Sequence, residues 1–94
     1  VVTREEILRF IAQRAKEGRV TRQLDLMHEF GLSDSATRGR LMALWKQRMI
    51  SATTVELASW GAERLSDLRF RLTPRGLERL RWHERQNRPA RRIL

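Results

Sequence analysis

Side chains able to do chemistry gather in two places. Ser35, Arg38, Gly39, Met42 and Lys46 are spaced three, one, three and four residues apart, the intervals that place them on one face of a helix. Their types suit contact with a polyanion. The Ser35 hydroxyl can donate or accept at a base edge or a phosphate, the Arg38 guanidinium can make a bidentate contact to guanine or clamp a phosphate, and the Met42 thioether can press on a thymine methyl. Gly39 costs about 1 kcal/mol relative to Ala inside a helix, which a close approach to another molecule would offset. Arg40 and Lys46 are placed to reach phosphates on either wall of a groove, and Ser33 stands at the start of the same stretch. No acid lies between Ser35 and Lys46. The second place is Leu68-Arg69-Phe70-Arg71-Leu72, where a period of two puts Arg69 and Arg71 on one face of a strand and the apolar residues on the other. These two arginines are expected to hold phosphates.

Catalysis finds little support. His28 and His83 lack clustered ligands, and neither a glycine-rich phosphate loop nor a nucleophile elbow occurs. Ser33, Asp34 and His28 are near one another in sequence, but a triad is defined by geometry. With no cysteine in the chain, a disulfide framework, a thiolate zinc site and a cysteine nucleophile are excluded. No catalytic residue, no metal site and no cofactor are expected.

Ninety-four residues, 40% hydrophobic and 33% charged, fit one small domain with one core and little room for a deep substrate cavity. Lys and Arg number 20 against 11 Asp and Glu, a net charge of +9, which favours a nucleic acid or an acidic surface as partner. The excess is uneven: residues 1–30 carry +1, 31–50 carry +3, 51–68 carry −2 and 69–94 carry +7. Only two of the cations are lysines, so arginine is general usage here, and position says more than identity. No apolar run approaches the roughly 18 residues of a membrane span, and no signal segment opens the chain. A cytoplasmic location is expected, nucleoid-associated in a bacterium. The chain opens on Val1 rather than Met, as a fragment or processed product does.

These residues need a scaffold. Thr3-Arg4-Glu5-Glu6 reads as a capping box starting a first helix with Ile7, Leu8, Ile11 and Ala15 inward and a stop at Gly18. Thr21 is expected to cap a second, shorter helix that turns Leu24, Met27 and Phe30 inward and halts at Gly31. Ser33 caps a third, spanning 33–49, with Thr37, Leu41, Leu44 and the flanking Trp45 inward. Ile50 to Leu57, with β-branched Thr53, Thr54 and Val55, and Leu68 to Leu72 read as paired strands. They are joined by residues 58–67, a loop longer than common hairpin turns. Glu56, Glu63 and Asp67 against the single cation Arg64 suit this loop poorly to the negative minor groove, and Trp60 is expected to pack back onto the core. Thr73-Pro74 gives a cap and a first-turn proline to a last helix running to Gln86 with Leu77 and Leu80 inward. There Trp82 falls on the outer side with Arg75 and Arg79, either a homodimer seam or a ring covered by arginine stems or by the first helix. Residues 1–87 form the domain, and 88–94 a basic, mobile tail. The fold expected is mostly α with a small β-hairpin, an α+β domain.

With elements in the order helix, helix, turn, helix, strand, wing loop, strand, helix, the chain resembles a winged helix-turn-helix domain. Phe30-Gly31-Leu32-Ser33-Asp34-Ser35-Ala36-Thr37 resembles the turn and recognition-helix start of bacterial MarR-type regulators. Leu44 followed by Met49-Ile50 resembles their helix end running into the first wing strand, and Leu72-Thr73-Pro74-Arg75-Gly76 is similar to their junction after the wing. The chain departs from the pattern at Arg48, where the family usually has glycine, in its long wing loop, and in lacking the dimerisation helices of a full MarR protein. The resemblance implies a small transcriptional regulator whose third helix enters the major groove of double-stranded DNA, amino-terminal half nearest the base edges. It also implies pairing through terminal helices, which would set two recognition helices about 34 Å apart over an inverted repeat. Any small-molecule effector stays undefined. Two other readings fit the residues: a winged helix that docks protein, which would better tolerate acids on the third helix, and a nucleic-acid-binding domain of a larger protein with little sequence preference, driven by Arg69 to Arg92.

Overall fold

The computed structural model describes residues 1–54 and 68–86. Among them, four helices, α1 (Arg4–Lys16), α2 (Gln23–Phe30), α3 (Asp34–Lys46) and α4 (Pro74–Gln86), surround a sheet of β1 (Thr21–Arg22), β2 (Ile50–Thr54) and β3 (Leu68–Leu72). The sheet is antiparallel in the order β1-β3-β2. This is the α+β arrangement expected, with the hairpin widened by a third strand. Residues 55–67, which include Trp60 and Arg64, and the tail at 88–94 lie outside the described residues.

Helix α1 starts as its sequence dictates. Thr3 Oγ1 accepts from Glu6 N at 3.2 Å while the Glu6 carboxylate accepts from Thr3 N at 2.8 Å, which satisfies two free amides reciprocally. Ile7, Leu8 and Ile11 are buried, but Ala15 is exposed. Beyond Ile11 the helix is held by Arg14, which donates to Val20 O at 2.7 Å, pairs with Asp25 at 3.4 Å and lies over the Phe10 ring.

Two expectations for the second helix fail. Thr21 does not cap it; it is 1% exposed and pairs with Phe70 in the sheet, where a β-branched side chain is at home. The acceptor at this helix start is Asp25, which takes Arg22 N at 2.8 Å. With α2 beginning at Gln23, the covered positions are Gln23, Leu26, Met27 and Phe30, an i, i+3, i+4, i+7 stripe. Leu24 falls off it and stands 59% exposed. Gln23 belongs in that stripe because its amide donates to the Asp34 carboxylate and to Asp34 O, tying α2 to the first residue of α3.

Ser33 Oγ accepts from Ala36 N at 3.1 Å, and Thr37, Leu41 and Leu44 are buried, so α3 begins and faces as expected there. Trp45, expected on the inward flank, is 39% exposed. The helix also ends earlier, at Lys46. Arg48 N donates to Trp45 O at 2.9 Å and Met49 N to Leu44 O at 3.0 Å, a Schellman closure that holds Arg48 at a φ of +61°. The following turn docks α4: Thr73 N donates to Met49 O at 3.0 Å, Thr73 Oγ1 donates to Arg48 O at 2.6 Å, and the same hydroxyl accepts from Gly76 N at 3.0 Å. A Cβ on Gly76 would lie 2.0 Å from Met49 O, so only glycine permits this approach.

Ile7, Leu8, Ile11, Leu26, Leu41, Leu44, Ile50, Phe70 and Leu80 meet in a single core. Each such side chain contributes about 1.5–3 kcal/mol on burial, which fixes the inner side of α3 and leaves its outer side uncommitted. In the sheet, Phe70 faces the core beside Thr21 and Ala52, while Arg69 pairs outward with Arg22 on one side and Thr53 on the other.

Candidate nucleic-acid interface

The outer side of α3 is open. Ser35, Arg38, Gly39, Met42, Ala43 and Lys46 are all exposed, Met42 at 41%. A Cβ built on Gly39 meets nothing within 4 Å, so no internal contact calls for glycine at that point. Arg38 Nε lies 3.5 Å from Asp34 Oδ2, with both side chains more than half exposed. A pair of this kind is worth at most about 1 kcal/mol, little enough for a phosphate or base edge to displace Asp34. The Ser33 hydroxyl is engaged in the cap, so Ser33 shapes the helix start, and its neighbour Ser35 presents its hydroxyl to solvent.

Arg40 stands apart from this ridge. Its Nη1 donates to Val2 O at 2.6 Å and the side chain is half-buried, lining a crevice with Arg4, Ile7, Ala43, Leu44 and Gln47. The helical position is as expected; the amino-terminal segment before α1 covers that flank and takes the guanidinium. Beside it Arg4 Nη1 donates to Gln47 Oε1 at 2.9 Å. Sequence reasoning gave Arg4 no role beyond the first turn of α1, and no local signal could have placed it next to the end of α3.

On the sheet, Arg71 is exposed and Arg69 half-buried, on the face opposite Leu68 and Phe70. They lie on β3, where Arg69 is the cross-strand partner of Arg22.

Trp82, Arg75 and Arg79 do come together, in a shallow groove on α4 shared with Met49, Glu78 and Arg85. Arg79 donates through Nε and Nη2 to Glu5 Oε2 at 3.3 and 3.2 Å, and its guanidinium lies 4.8 Å from the centre of the Trp82 ring. The ring is therefore partly covered by an arginine of its own helix and remains 44% exposed. Burial pushes the Glu5 carboxyl up, but its backbone hydrogen bond, Arg79, His83 and Arg4 outweigh burial and hold it below the ordinary 4.5.

Among the described residues no group of three or more His, Asp or Glu could hold a metal ion, and no helix is long and apolar enough to cross a membrane. Asp34, the acid beside the Ser33 cap, is taken by Gln23 and Arg38.

Solved structures share this arrangement. The chain is similar to the adhesin competence repressor AdcR of Streptococcus pyogenes, with 21% identity and a TM-score of 0.68 over 92% of this chain and 55% of that one. It is likewise similar to a cysteine-to-serine mutant of ZitR from Lactococcus lactis, with 18% identity and a TM-score of 0.65 over 87% of this chain and 49% of that one. A C-terminally His-tagged form of AdcR gives 20% identity and a TM-score of 0.63 over 92% and 58%. The chain thus has the winged helix-turn-helix fold and spans about half the length of these structures. No protein-family profile matches it, and no curated protein does.

Proposed function

We propose that this domain binds double-stranded DNA in a sequence-specific manner, as the DNA-reading part of a transcriptional regulator, with α3 in the major groove. The observation that carries the reading is the outer side of α3: exposed at Ser35, Arg38, Gly39, Met42 and Lys46, free of acid across that span, low at Gly39 and left uncovered by the described residues. Thirteen residues make a rod about 20 Å long, and a helix fits a major groove about 12 Å wide. Ser35 and Arg38 meet base edges in the amino-terminal half, Gly39 lets the backbone approach, Met42 contacts a thymine methyl, and Lys46 takes a phosphate. Arg40, held by Val2 O, supports the phosphate wall on the α1 side with the donors it has left. Arg69 and Arg71 take backbone phosphates from the sheet.

That a solved structure of the same fold is named as a repressor raises the weight of this reading over a protein-docking winged helix. The face itself carries two exposed large apolar side chains, Met42 and, at its edge beside Arg38, Trp45, so its freedom from acid, rather than its apolar content, is what favours a polyanion. A homodimer joined through α4 would space two α3 helices about one turn of DNA apart; the exposed Trp82 is the observation that favours it. The test is titration of Arg38→Ala onto a duplex selected by the wild-type protein and onto random duplex. A greater loss on the selected duplex, about 1–3 kcal/mol for a bidentate base contact, supports the reading; equal loss on both reduces Arg38 to a phosphate contact, and no loss removes it from the interface.

A further inference from the structure

We infer that the outer face of the sheet is a separate phosphate clamp, made by Arg22, Arg69 and Arg71 with the hydroxyls of Ser51 and Thr53, and that it grips the DNA backbone beside the stretch read by α3. The inference rests on the DNA-binding reading above and adds to it a residue, Arg22, and a surface that no base contact uses.

The sheet register brings the clamp together. Arg22 and Arg69 are direct partners across β1 and β3, Thr53 faces Arg69 from β2, and Ser51 faces Arg71. Two like charges set directly opposite destabilise a sheet, so an anion from outside would be held where they meet. None of the ion pairs among the described residues involves Arg22, Arg69 or Arg71. Among the described residues the buried Arg69 Nε also has no hydrogen-bond partner, an unpaired donor of the kind that native structures rarely leave so. Adjacent strands lie about 4.8 Å apart and alternate residues on one strand about 7 Å apart, so the three guanidinium groups spring from one small patch and can share one or two phosphates in bidentate fashion.

Placement selects the ligand. Arg22 immediately precedes Gln23, whose amide is bonded to Asp34 at the start of α3. The Arg22 end of the patch is thereby tied to the start of α3, the side on which a duplex read by that helix would bring its backbone. An isolated anion would satisfy the charges, but only a continuous polyanion engages this patch and the α3 ridge together.

The experiment measures duplex affinity across a salt series from about 50 to 200 mM, at neutral pH, for wild type, Arg22→Ala, Arg22→Lys and Arg71→Ala. Arg22→Ala should weaken selected and random duplex by the same factor and reduce the slope of log K against log salt by about 0.9 for each phosphate released. Arg71→Ala should do likewise, and Arg22→Lys should keep most of the slope. Arg22→Ala should melt no lower than wild type, because it removes a like-charge opposition and leaves the Arg22 N–Asp25 bond in place. Wild type that binds duplex with a slope unmoved by Arg22→Ala would overturn the clamp alone. A loss confined to the selected duplex would overturn its phosphate role. Wild type that binds no duplex would remove the reading beneath it, and equal affinity and slope on single-stranded RNA would overturn the duplex backbone as the ligand.

Discussion

Replacing Gly39 by Ala should make the domain more stable and a poorer DNA binder. Gly39 sits within α3, exposed, at a position where an added Cβ meets nothing within 4 Å. The methyl therefore brings no collision, and the helix gains the full difference in propensity, about 0.8–1 kcal/mol. In a domain of this size about 1 kcal/mol moves the melting temperature by roughly 4–8 °C, well within reach of a thermal melt followed by circular dichroism. The same methyl projects from the middle of the ridge into the proposed groove contact, and duplex affinity should fall; a tenfold loss corresponds to about 1.4 kcal/mol. Fluorescence anisotropy on a selected duplex reads that loss in the same preparation. A variant that is both more stable and equally tight on DNA would refute the reasoning, because Gly39 would then be a cost with no return at the interface.

Gly76→Ala should have the opposite thermal effect: a Cβ 2.0 Å from Met49 O must push α4 from its dock. The loss of one or two junction hydrogen bonds at about 1 kcal/mol each plus overpacking of about 1–3 kcal/mol exceeds the helix gain of about 1 kcal/mol, so urea unfolding should show a net loss of about 1–4 kcal/mol. Because the folded Glu5 carboxyl is held below 4.5, its contribution is present above that pH and lost as pH falls through the folded value; acid unfolding of Glu5→Gln should lack this component, and an identical acid limb in both proteins would show that the Arg79 contact is idle. Arg48→Gly should raise the urea midpoint, since the left-handed backbone at Arg48 costs an L residue about 1–2 kcal/mol against about 0.5–1 kcal/mol of added glycine entropy. If α4 joins two copies, sedimentation will give a dimer for wild type and a monomer for Trp82→Glu; a monomeric wild type ends that assignment.

What could be read in the sequence was what local physics decides. The Thr3 box, the Ser33 cap, the Thr37-Leu41-Leu44 stripe and the Thr73-Pro74 start all depend on residues within a turn or two of one another, and all stand in the structure. Strand β1 could not be read, because two residues have no period and its only signal is pairing with β3 far along the chain. That omission carried Thr21 into a cap it does not make and shifted the α2 stripe onto Leu24. For Arg40 the helical wheel gave the right azimuth, but whether that azimuth meets solvent is decided by Val2, which the wheel does not contain.

The parts of the molecule that its own packing does not explain are the informative ones. Gly76 weakens a helix and is repaid by close contact with Met49 O; its reason lies inside. Gly39 weakens a helix and touches nothing, and Arg22 and Arg69 oppose each other with neither in an ion pair among the described residues. Each has an easy replacement expected to fold at least as well, of the kind natural chains leave unused because selection acts only at a stability threshold. In the reading proposed above, their relief comes from DNA, and Arg22 stands next to Gln23, whose amide is bonded to Asp34 at the start of α3. If one duplex relieves both, Gly39→Ala and Arg22→Ala should each trade affinity for stability, differing only in kind: the first changes which sequence is bound best, the second how steeply binding falls with salt.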